Sequence, residues 1–461
     1  GGGRGRGAAM AGARGLAGLA LLALAGSAAA VYRGDEGFAR APGYVWVFSD
    51  GGNQTLGERG PSVEVVDPEA LAVVASFDVD PATQWADPVY MEHCHGDHAQ
   101  MMMVADRGAD RAYILNVGAV HAGDAAAAVV ATVPLGARPV HSYALPERGE
   151  WWAHADDDGH FDVIDIMADV TELARGPVVA HVEVPGHGKL LAEPGMPVAY
   201  ASNTREPFVY EIDLESGALT GLFNFSSYND SPEHELHCPG THGLAFSKAN
   251  NHVYATCSSV GLAELDVGPG FRPVTVHRQA TGGQVYTTPD EKYIVVLDKA
   301  GDGIHVLTPG APGEASSKDF PTVSGGGGEP DKPAFFELPD GRGWRMFVSL
   351  VDNVHALADA AAEGDAGVGY LDLLEVENNP EEAQALTFVP GAGAVARRGP
   401  YTYRSIATTG DYVATITHTP TPGVAIIDGA TGELRGVVET NLGASRVRHA
   451  PVGVTDLMCE M

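Results

Sequence analysis

The chain repeats one pattern of strands and turns at intervals of about 40 to 60 residues. In each copy a polar residue precedes an apolar strand, a second strand follows a turn, and a third strand ends in aspartate. The clearest copies span residues 141–165, 187–213 and 242–266. A unit of this length buries its faces only against neighbouring units, as a propeller blade does. The repeat therefore predicts an all-β fold, a closed β-propeller.

Weaker copies and the two chain ends set the number of blades. The weaker copies begin near Gln284, Ala334 and Tyr403. Residues 44–48 and 62–67 look like the second and third strands of a blade that lacks its first strand.

The missing strand is expected from the C-terminus, because residues 449–456 follow the last full copy and match the start of a repeat. Their pairing would complete blade one and cover an open strand edge. Counting this composite blade and the copy that precedes residue 141, which contains residues 92–116, we expect eight blades. The number falls to seven if the divergent stretch 334–400 is not a regular blade.

The N-terminal region has the pattern of an export signal. Arg14 is followed by an apolar run over residues 16–25 and by small residues at 28–30. We expect a signal peptide and leader in residues 1–30, a short mature N-terminal segment in 31–42 and one propeller domain in 43–461. The apolar run is shorter than the roughly 20 residues that span a bilayer, so we expect no membrane anchor. The mature protein would be periplasmic, secreted or lumenal.

Composition limits the partners. The 60 acidic and 28 basic side chains give a formal net charge of −32, which repels nucleic acid and anionic lipid. With 59 Gly and 30 Pro, the chain suits short strands and tight turns better than helices. We expect a monomer that binds neither nucleic acid nor membranes.

Four cysteines in an exported chain allow two disulfides. Cys238 and Cys257 flank one repeat and are the first candidate pair. Cys94 and Cys459 remain, and closure of the ring by the C-terminal strand would bring their surroundings together. Their pairing stays open, because sequence does not give the short Cα separation that a disulfide needs.

Histidines recur at one place in the repeat. His141, His187 and His242 precede the innermost strand in successive copies, residues 92–98 fall near that place in the preceding copy, and His449 does so in the composite blade. Innermost strands line the channel of a propeller, so we expect these residues to converge on its axis. Neutral imidazole is a common ligand of zinc and copper. The candidate metal ligands, of which three or four would bind the ion, are His93, His95, His98, His141, His187 and His242.

Asp97 is the candidate carboxylate that would fix an imidazole tautomer beside the metal. A structural alternative is that each repeated histidine caps a turn at the entrance of its blade. His234 and His237 flank Cys238 and would approach the channel mouth. The histidines expected to be surface or packing residues are His154, His160, His252, His277, His305, His355 and His418.

The segment from His93 to His98 also matches the H-x-H-x-D-H motif of metallo-β-lactamase-like hydrolases, and His187 resembles their next ligand. That fold needs a helix directly after the motif. Residues 99–104 and 112–116 instead have the pattern of two strands. The dinuclear zinc hydrolase therefore remains a minor alternative.

The segment from His237 to Gly243, with Cys257 after the next strand, resembles the Cys-Pro-Gly-x-His-Gly region of periplasmic zinc metallochaperones of the AztD type. Such proteins are eight-bladed propellers that carry zinc and pass it to the solute-binding protein of a zinc importer. The resemblance implies that His242 lies in a zinc site and that Cys238 pairs with Cys257. One difference is that residues 31–43 contain no histidine, whereas that family has a mobile His- and Asp-rich segment near its mature N-terminus.

The leading interpretation is a zinc-binding protein without catalytic activity, a chaperone or a buffer, with a solute-binding protein as the expected recipient. A copper-dependent oxidoreductase is the enzyme alternative, because copper outcompetes zinc at most nitrogen sites. The third interpretation is a propeller that binds other proteins and whose histidines have a structural role. Metal analysis of protein purified without a histidine tag separates the three.

Overall fold

The computed structural model describes most of the chain. The described residues are 42–50, 60–92, 100–166, 178–227, 238–257, 260–267, 271–298, 303–325, 328–351, 367–380, 385–393, 405–418, 421–441 and 444–452. The expected leader, the segment 93–99, Cys94 and Cys459 lie outside these residues.

The described residues form eight four-stranded antiparallel sheets, one for each blade. Blades 1 and 2 contain β1 (Gly43–Ser49), β2 (Ser62–Asp67), β3 (Ala72–Asp78) and β32 (Ala444–Pro451), then β4 (Trp85–Glu92), β5 (Gln100–Asp106), β6 (Arg111–Asn116) and β7 (Val129–Pro134). Blades 3 and 4 contain β8 (Pro139–Leu145), β9 (Glu150–Ala155), β10 (His160–Asp165) and β11 (Val178–Glu183), then β12 (Leu190–Leu191), β13 (Val198–Ser202), β14 (Phe208–Asp213) and β15 (Leu219–Asn224).

The second half of the ring follows the same order. Blades 5 and 6 contain β16 (Leu244–Ser247), β17 (His252–Cys257), β18 (Gly261–Asp266) and β19 (Arg272–His277), then β20 (Gln284–Thr287), β21 (Ile294–Asp298), β22 (Gly303–Leu307) and β23 (Thr322–Ser324). Blades 7 and 8 contain β24 (Glu329–Glu337), β25 (Trp344–Val351), β26 (Val368–Asp372) and β27 (Thr387–Phe388), then β28 (Ile406–Thr409), β29 (Tyr412–Thr417), β30 (Gly423–Asp428) and β31 (Leu434–Glu439).

Helix is scarce among the described residues. The α-helices within the described residues are α1 (Val117–His121) and α2 (Leu373–Asn378), and single 3-10 turns occur there at Ala125–Ala127, Pro146–Arg148, Phe225–Ser227 and Pro339–Gly341. In this part of the chain, no helix has the length and apolar character that crossing a membrane requires.

A C-terminal strand closes the ring as the sequence predicts, but it spans Ala444–Pro451 and begins five residues earlier than the expected segment 449–456. β32 pairs antiparallel with β1, with Val447 opposite Val47, and it supplies the innermost strand of blade 1. β32 also contacts β28 of blade 8 and β4 of blade 2. The divergent stretch after residue 334 forms a complete blade, so the count of eight is confirmed and the seven-blade alternative is wrong.

The aspartate that ends the third strand of many repeats has a local reason. The Oδ1 atom of Asp213 accepts the backbone N–H of Ser216 at 2.8 Å, and Asp428 accepts that of Thr431 at the same distance. Asp67 accepts the N–H groups of two following residues. A short side-chain acceptor of this kind stabilises the tight turn to the outermost strand.

The hydrophobic core lies between blades. Trp46 and Phe48 of blade 1 pack in one cluster with Met102 and Val104 of blade 2, and similar clusters join each remaining pair of neighbours around the ring. The middle strands, such as β5, are buried along their whole length, whereas outermost strands such as β7 alternate between buried and exposed residues. Each blade therefore depends on both neighbours for burial.

Deleting residues 447–461 should open this ring. The variant loses most of β32, leaves β1 with an open edge and exposes apolar side chains that each contribute about 1.5–3 kcal/mol when buried. We expect the free energy of unfolding to fall by more than about 3 kcal/mol and the protein to self-associate, as measured by urea denaturation and size-exclusion chromatography. Deletion of 453–461 alone, which leaves β32 intact, is the control. A monomeric 447–461 deletion of full stability would contradict the closure.

A buried carboxylate joins blade 5 to the loop before β23. Glu264 is fully buried and its two oxygens accept hydrogen bonds from His252 Nδ1 at 2.7 Å and His277 Nε2 at 2.9 Å. The backbone N–H of Ser316 lies 2.9 Å from Oε2. Burial alone would raise the pKa of Glu264, but these hydrogen bonds lower it from 4.5 to about 2. Both histidines are thus packing residues, as expected.

Glu264 should make stability depend on pH in the acid range. Because its pKa is lower in the folded state than in the unfolded chain, its contribution is complete above pH 4.5 and is lost as the pH falls toward 2. The shift corresponds to roughly 3 kcal/mol. We expect Glu264→Gln to show a weaker loss of stability than the wild type in urea denaturation between pH 5 and 3, with EDTA present. Glu215→Gln, on an exposed turn, should keep the wild-type slope; equal slopes for all three proteins would contradict this role.

Candidate metal centre

Three histidines that recur in the sequence repeat meet near the axis of the propeller. His141 lies in β8, the inner strand of blade 3, while His187 and His242 precede the inner strands of blades 4 and 5. Their ring centroids are 4.8 Å apart for His141 and His187, 5.4 Å for His187 and His242, and 6.1 Å for His141 and His242. The convergence therefore joins three successive blades.

Each ring turns its Nδ1 atom to an acceptor of the protein. His141 Nδ1 lies 2.9 Å from Asp87 Oδ2, His187 Nδ1 lies 2.7 Å from Asp156 Oδ2, and His242 Nδ1 lies 3.1 Å from the carbonyl oxygen of Gly283. Metal-binding histidines usually donate one ring N–H to a carboxylate or a backbone carbonyl and bind the ion through the other nitrogen. All three rings have this arrangement.

The segment that carries His187 is held close to the end of β13. A Cβ atom on Gly188 would lie 1.7 Å from the carbonyl oxygen of Ser202, so only glycine permits this approach. The backbone carbonyl of His187 accepts the N–H of Thr204 at 2.6 Å. Two neighbouring contacts thus fix the position from which the imidazole extends.

The segment that carries His242 is fixed on several sides. The disulfide between Cys238 and Cys257, with Cα atoms 5.9 Å apart, ties it to β17. Thr241 donates its hydroxyl to the carbonyl of Phe208 at 2.6 Å, and the carbonyl of His242 accepts the Ser202 hydroxyl at 2.6 Å. The expected pairing of Cys238 with Cys257 is present in the structure.

A chain of charged groups supports His141. Arg446 Nε donates to Asp87 Oδ1 at 3.0 Å, and the other oxygen of Asp87 accepts from His141. Burial alone would raise the pKa of Asp87, but the His141 hydrogen bond and the Arg446 charge hold it well below its usual range. Asp87 therefore stays ionised and can hold His141 in one tautomer.

His187 has a matching support in blade 3. Asp156 accepts hydrogen bonds from His187 through Oδ2 and, at 2.9 Å, from His154 Nδ1 through Oδ1. His154 is fully buried, and its other nitrogen lies 3.1 Å from the carbonyl of Val184. Burial opposes ionisation of Asp156, but the two histidine hydrogen bonds lower its pKa below the usual range. A carboxylate thus fixes the second ring as well.

The third ring is kept neutral by its surroundings. Burial, followed by repulsion from His187 and Lys189, holds the pKa of His242 well below its usual value. Because only neutral imidazole binds a metal ion, this environment favours ligation over protonation.

The three histidines suit one metal ion of intermediate softness, such as zinc or copper. One ligand atom from each of the three histidines lies within 4.8 Å of the others. Nitrogen atoms that share one tetrahedral zinc ion at about 2.1 Å are about 3.4 Å apart. The three rings are therefore close enough to bind a common ion, and imidazole suits zinc and copper.

The structure corrects the register of the repeat. The residues at the third position of three successive inner strands are Arg446 in β32, Asp87 in β4 and His141 in β8. Asp87, and not the segment 92–98, is thus the counterpart of His141 in blade 2. In the composite blade the counterpart is Arg446, and His449 lies three residues further on.

The remaining candidate residues lie outside the described part of the chain. This applies to His93, His95, His98 and Asp97, and also to His234 and His237. Their roles in metal binding stay predictions. The strand β5, which begins at Gln100, confirms the strand expected after the H-x-H-x-D-H motif, and the propeller excludes the metallo-β-lactamase-like fold.

Sequence reasoning missed the carboxylates that orient the histidines. Asp87 gives no signal by type, because aspartates are abundant in this chain; only its place in β4 relates it to His141. Asp156 and His154 lie at the end of β9, where His154 was expected to be an ordinary surface or packing residue. The sequence pair His154-x-Asp156, at the turn after the second strand, was the pattern that could have indicated this support for His187.

Comparison with known proteins supports the fold. No protein-family profile and no curated protein matches the sequence. Among solved structures, the chain is similar to apo AztD from Citrobacter koseri, with 13% identity, a TM-score of 0.55 and coverage of 89% of this chain and 98% of that one.

Two further solved structures have comparable folds. A functionally unknown protein from Desulfotomaculum acetoxidans is 8% identical with a TM-score of 0.50, over 89% of this chain and 99% of that one. The dihydro-heme d1 dehydrogenase NirN is 12% identical with a TM-score of 0.57, over 90% of this chain and 77% of that one. At these identities the likeness shows the fold: the chain is an eight-bladed β-propeller similar to AztD.

Proposed function

We propose that this protein binds one zinc ion at the axial histidines and acts as a zinc carrier or buffer in an exported compartment. The observation that carries the proposal is the meeting of His141, His187 and His242 from successive blades, each with its Nδ1 atom turned to an acceptor of the protein. Three imidazoles in this orientation are a common zinc donor set.

The donor set also supports a carrier more than a structural zinc site. Structural zinc sites usually have four protein ligands, whereas the described residues bring three histidines together, and a set of three leaves a coordination position open. An incoming ligand from a receiving protein can enter that position before the histidines release the ion. Under this proposal zinc is the cargo of the protein and not a permanent part of its fold.

The direction of transfer follows from the resemblance of residues 237–243 to the AztD-type metallochaperones. We propose that the protein works in the periplasm or another exported space and passes zinc to a solute-binding protein of an importer. The acidic surface, with a net charge of −32, raises the local concentration of divalent cations. The ionised Asp87 and Asp156 offset part of the positive charge that a bound zinc ion would bring to the axis.

Metal analysis of untagged protein tests the choice of metal. We expect one zinc ion at this site, a colourless protein and no redox activity. Stoichiometric copper with visible absorption would instead support an oxidoreductase. Protein that takes up neither metal would support a purely structural role for the histidines.

His242→Ala should abolish tight zinc binding at the axis. The substitution removes one of three ligands, and since loss of a supporting partner alone typically costs 10–100-fold, we expect at least about a 100-fold loss of affinity. Zinc titration against a competing chelator measures the change, and thermal unfolding checks that the propeller is intact. His181→Ala, on the outermost strand β11 of blade 3, is the control and should keep the tight site. Unchanged affinity in His242→Ala would overturn the assignment.

Asp156→Asn should weaken the same site without removing a ligand. The neutral amide no longer provides the charged acceptor that orients His187, so we expect affinity to fall by about 10–100-fold. Asp157→Asn makes the same change in charge one residue away, where the side chain is 52% exposed and pairs with Arg138. Equal effects of the two variants in the chelator titration would show a general effect of charge and contradict the orienting role.

A further inference from the structure

A second cluster of metal-binding side chains lies at the rim of blade 3. His160 Nε2 is 3.1 Å and His181 Nδ1 is 2.8 Å from the same oxygen, Oδ1 of Asp162. The ligand atoms of all three residues lie within 4.8 Å of one another. His181 is 58% exposed, whereas Asp162 is 1% exposed. The cluster therefore combines a buried carboxylate with access from solvent.

Strand register brings these residues together. His160 and Asp162 are two residues apart on β10, so they share one face of the sheet. His181 on β11 lies directly opposite Asp162, and Glu183 lies opposite His160. Four side chains with ligand atoms thus occupy one face at the outer edge of the blade.

The buried carboxylate is oriented by the backbone. Asp162 Oδ2 accepts the N–H of Gly136 at 2.7 Å, which leaves Oδ1 toward the two imidazoles. A Cβ atom on residue 136 would lie 3.0 Å from His160 Nε2 and 2.7 Å from Asp158 Oδ2, so glycine keeps this space open. The carboxylate oxygen is positioned before any ligand arrives.

The distances agree with those in a metal site. Nitrogen and oxygen ligands at about 2.0–2.2 Å from a tetrahedral ion are about 3.4 Å apart. The observed separations of 2.8 and 3.1 Å require small outward movements, which the exposed His181 ring can make. Two imidazoles and a carboxylate form a donor set that zinc and neighbouring divalent ions accept.

This cluster is separate from the axial one. His160 and Asp162 on β10 are two strand spacings from β8, and His181 on β11 is three spacings away, which is about 10 to 14 Å at roughly 4.8 Å for each spacing. We propose that His160, Asp162 and His181 form a second site for a divalent transition metal, zinc or a close relative, that is more exposed than the axial site and exchanges its ion more quickly. It goes beyond the proposed function and does not depend on metal binding at the axis.

Zinc titration of the full protein, with bound metal counted after gel filtration, tests the second site. We expect two zinc ions in the wild type and one in His181→Ala, with the tight axial ion kept. His242→Ala should show the opposite loss. His181→Cys, kept reduced, supplies another zinc ligand at the same place and should restore the second ion.

A crystal soaked in zinc locates the ion directly, since anomalous scattering should give a peak between His160, Asp162 and His181. Equal zinc content in the wild type and His181→Ala, with no peak at the rim, would overturn the second site and show only a hydrogen-bonded trio. Equal content in the wild type and His242→Ala, with a peak only at the rim, would instead overturn the axial site and leave the rim site standing.

Discussion

The pairing of β32 with β1 is the contact on which the rest of the structure depends. No blade buries both of its faces alone, and each core cluster lies between two blades. A ring made of such clusters is stable only when its first and last members meet. In this chain the meeting is made by backbone hydrogen bonds between residues about 400 positions apart, with Val47 opposite Val447. A ring of blades that contact mainly their sequence neighbours is thus closed by one contact between distant parts of the chain.

Much of the fold was predictable because the repeat depends on local sequence patterns. Apolar alternation, turn glycines and the aspartates that cap the last turn recur in many of the copies, and the incomplete first blade indicated how the ring closes. Blade 7 was harder to recognise. Its last strand, β27, has only two residues, and a long segment separates β25 from β26. Sequence spacing does not show that such a short strand still completes a sheet.

The candidate site was predictable to a smaller extent. Repeat equivalence identified His141, His187 and His242, since symmetry carries equivalent positions to the axis. It did not identify Asp87 or Asp156, because a partner across blades is chosen by three-dimensional proximity and has no fixed spacing in sequence. The same limit applies to His160 and His181, which meet only through the register of β10 with β11.

Arg446 gives the closing strand a role beyond pairing. It lies in β32 and bonds to Asp87, which in turn orients His141. A chain that emerges from the ribosome or a translocation pore in order presents its axial histidines long before this arginine appears. Under the proposed function, an unfinished chain lacks the support for one ligand and competes poorly for zinc. Tight zinc binding at the axis would therefore require a chain synthesised at least as far as Arg446, because the strand that closes the ring also supports one of the ligands.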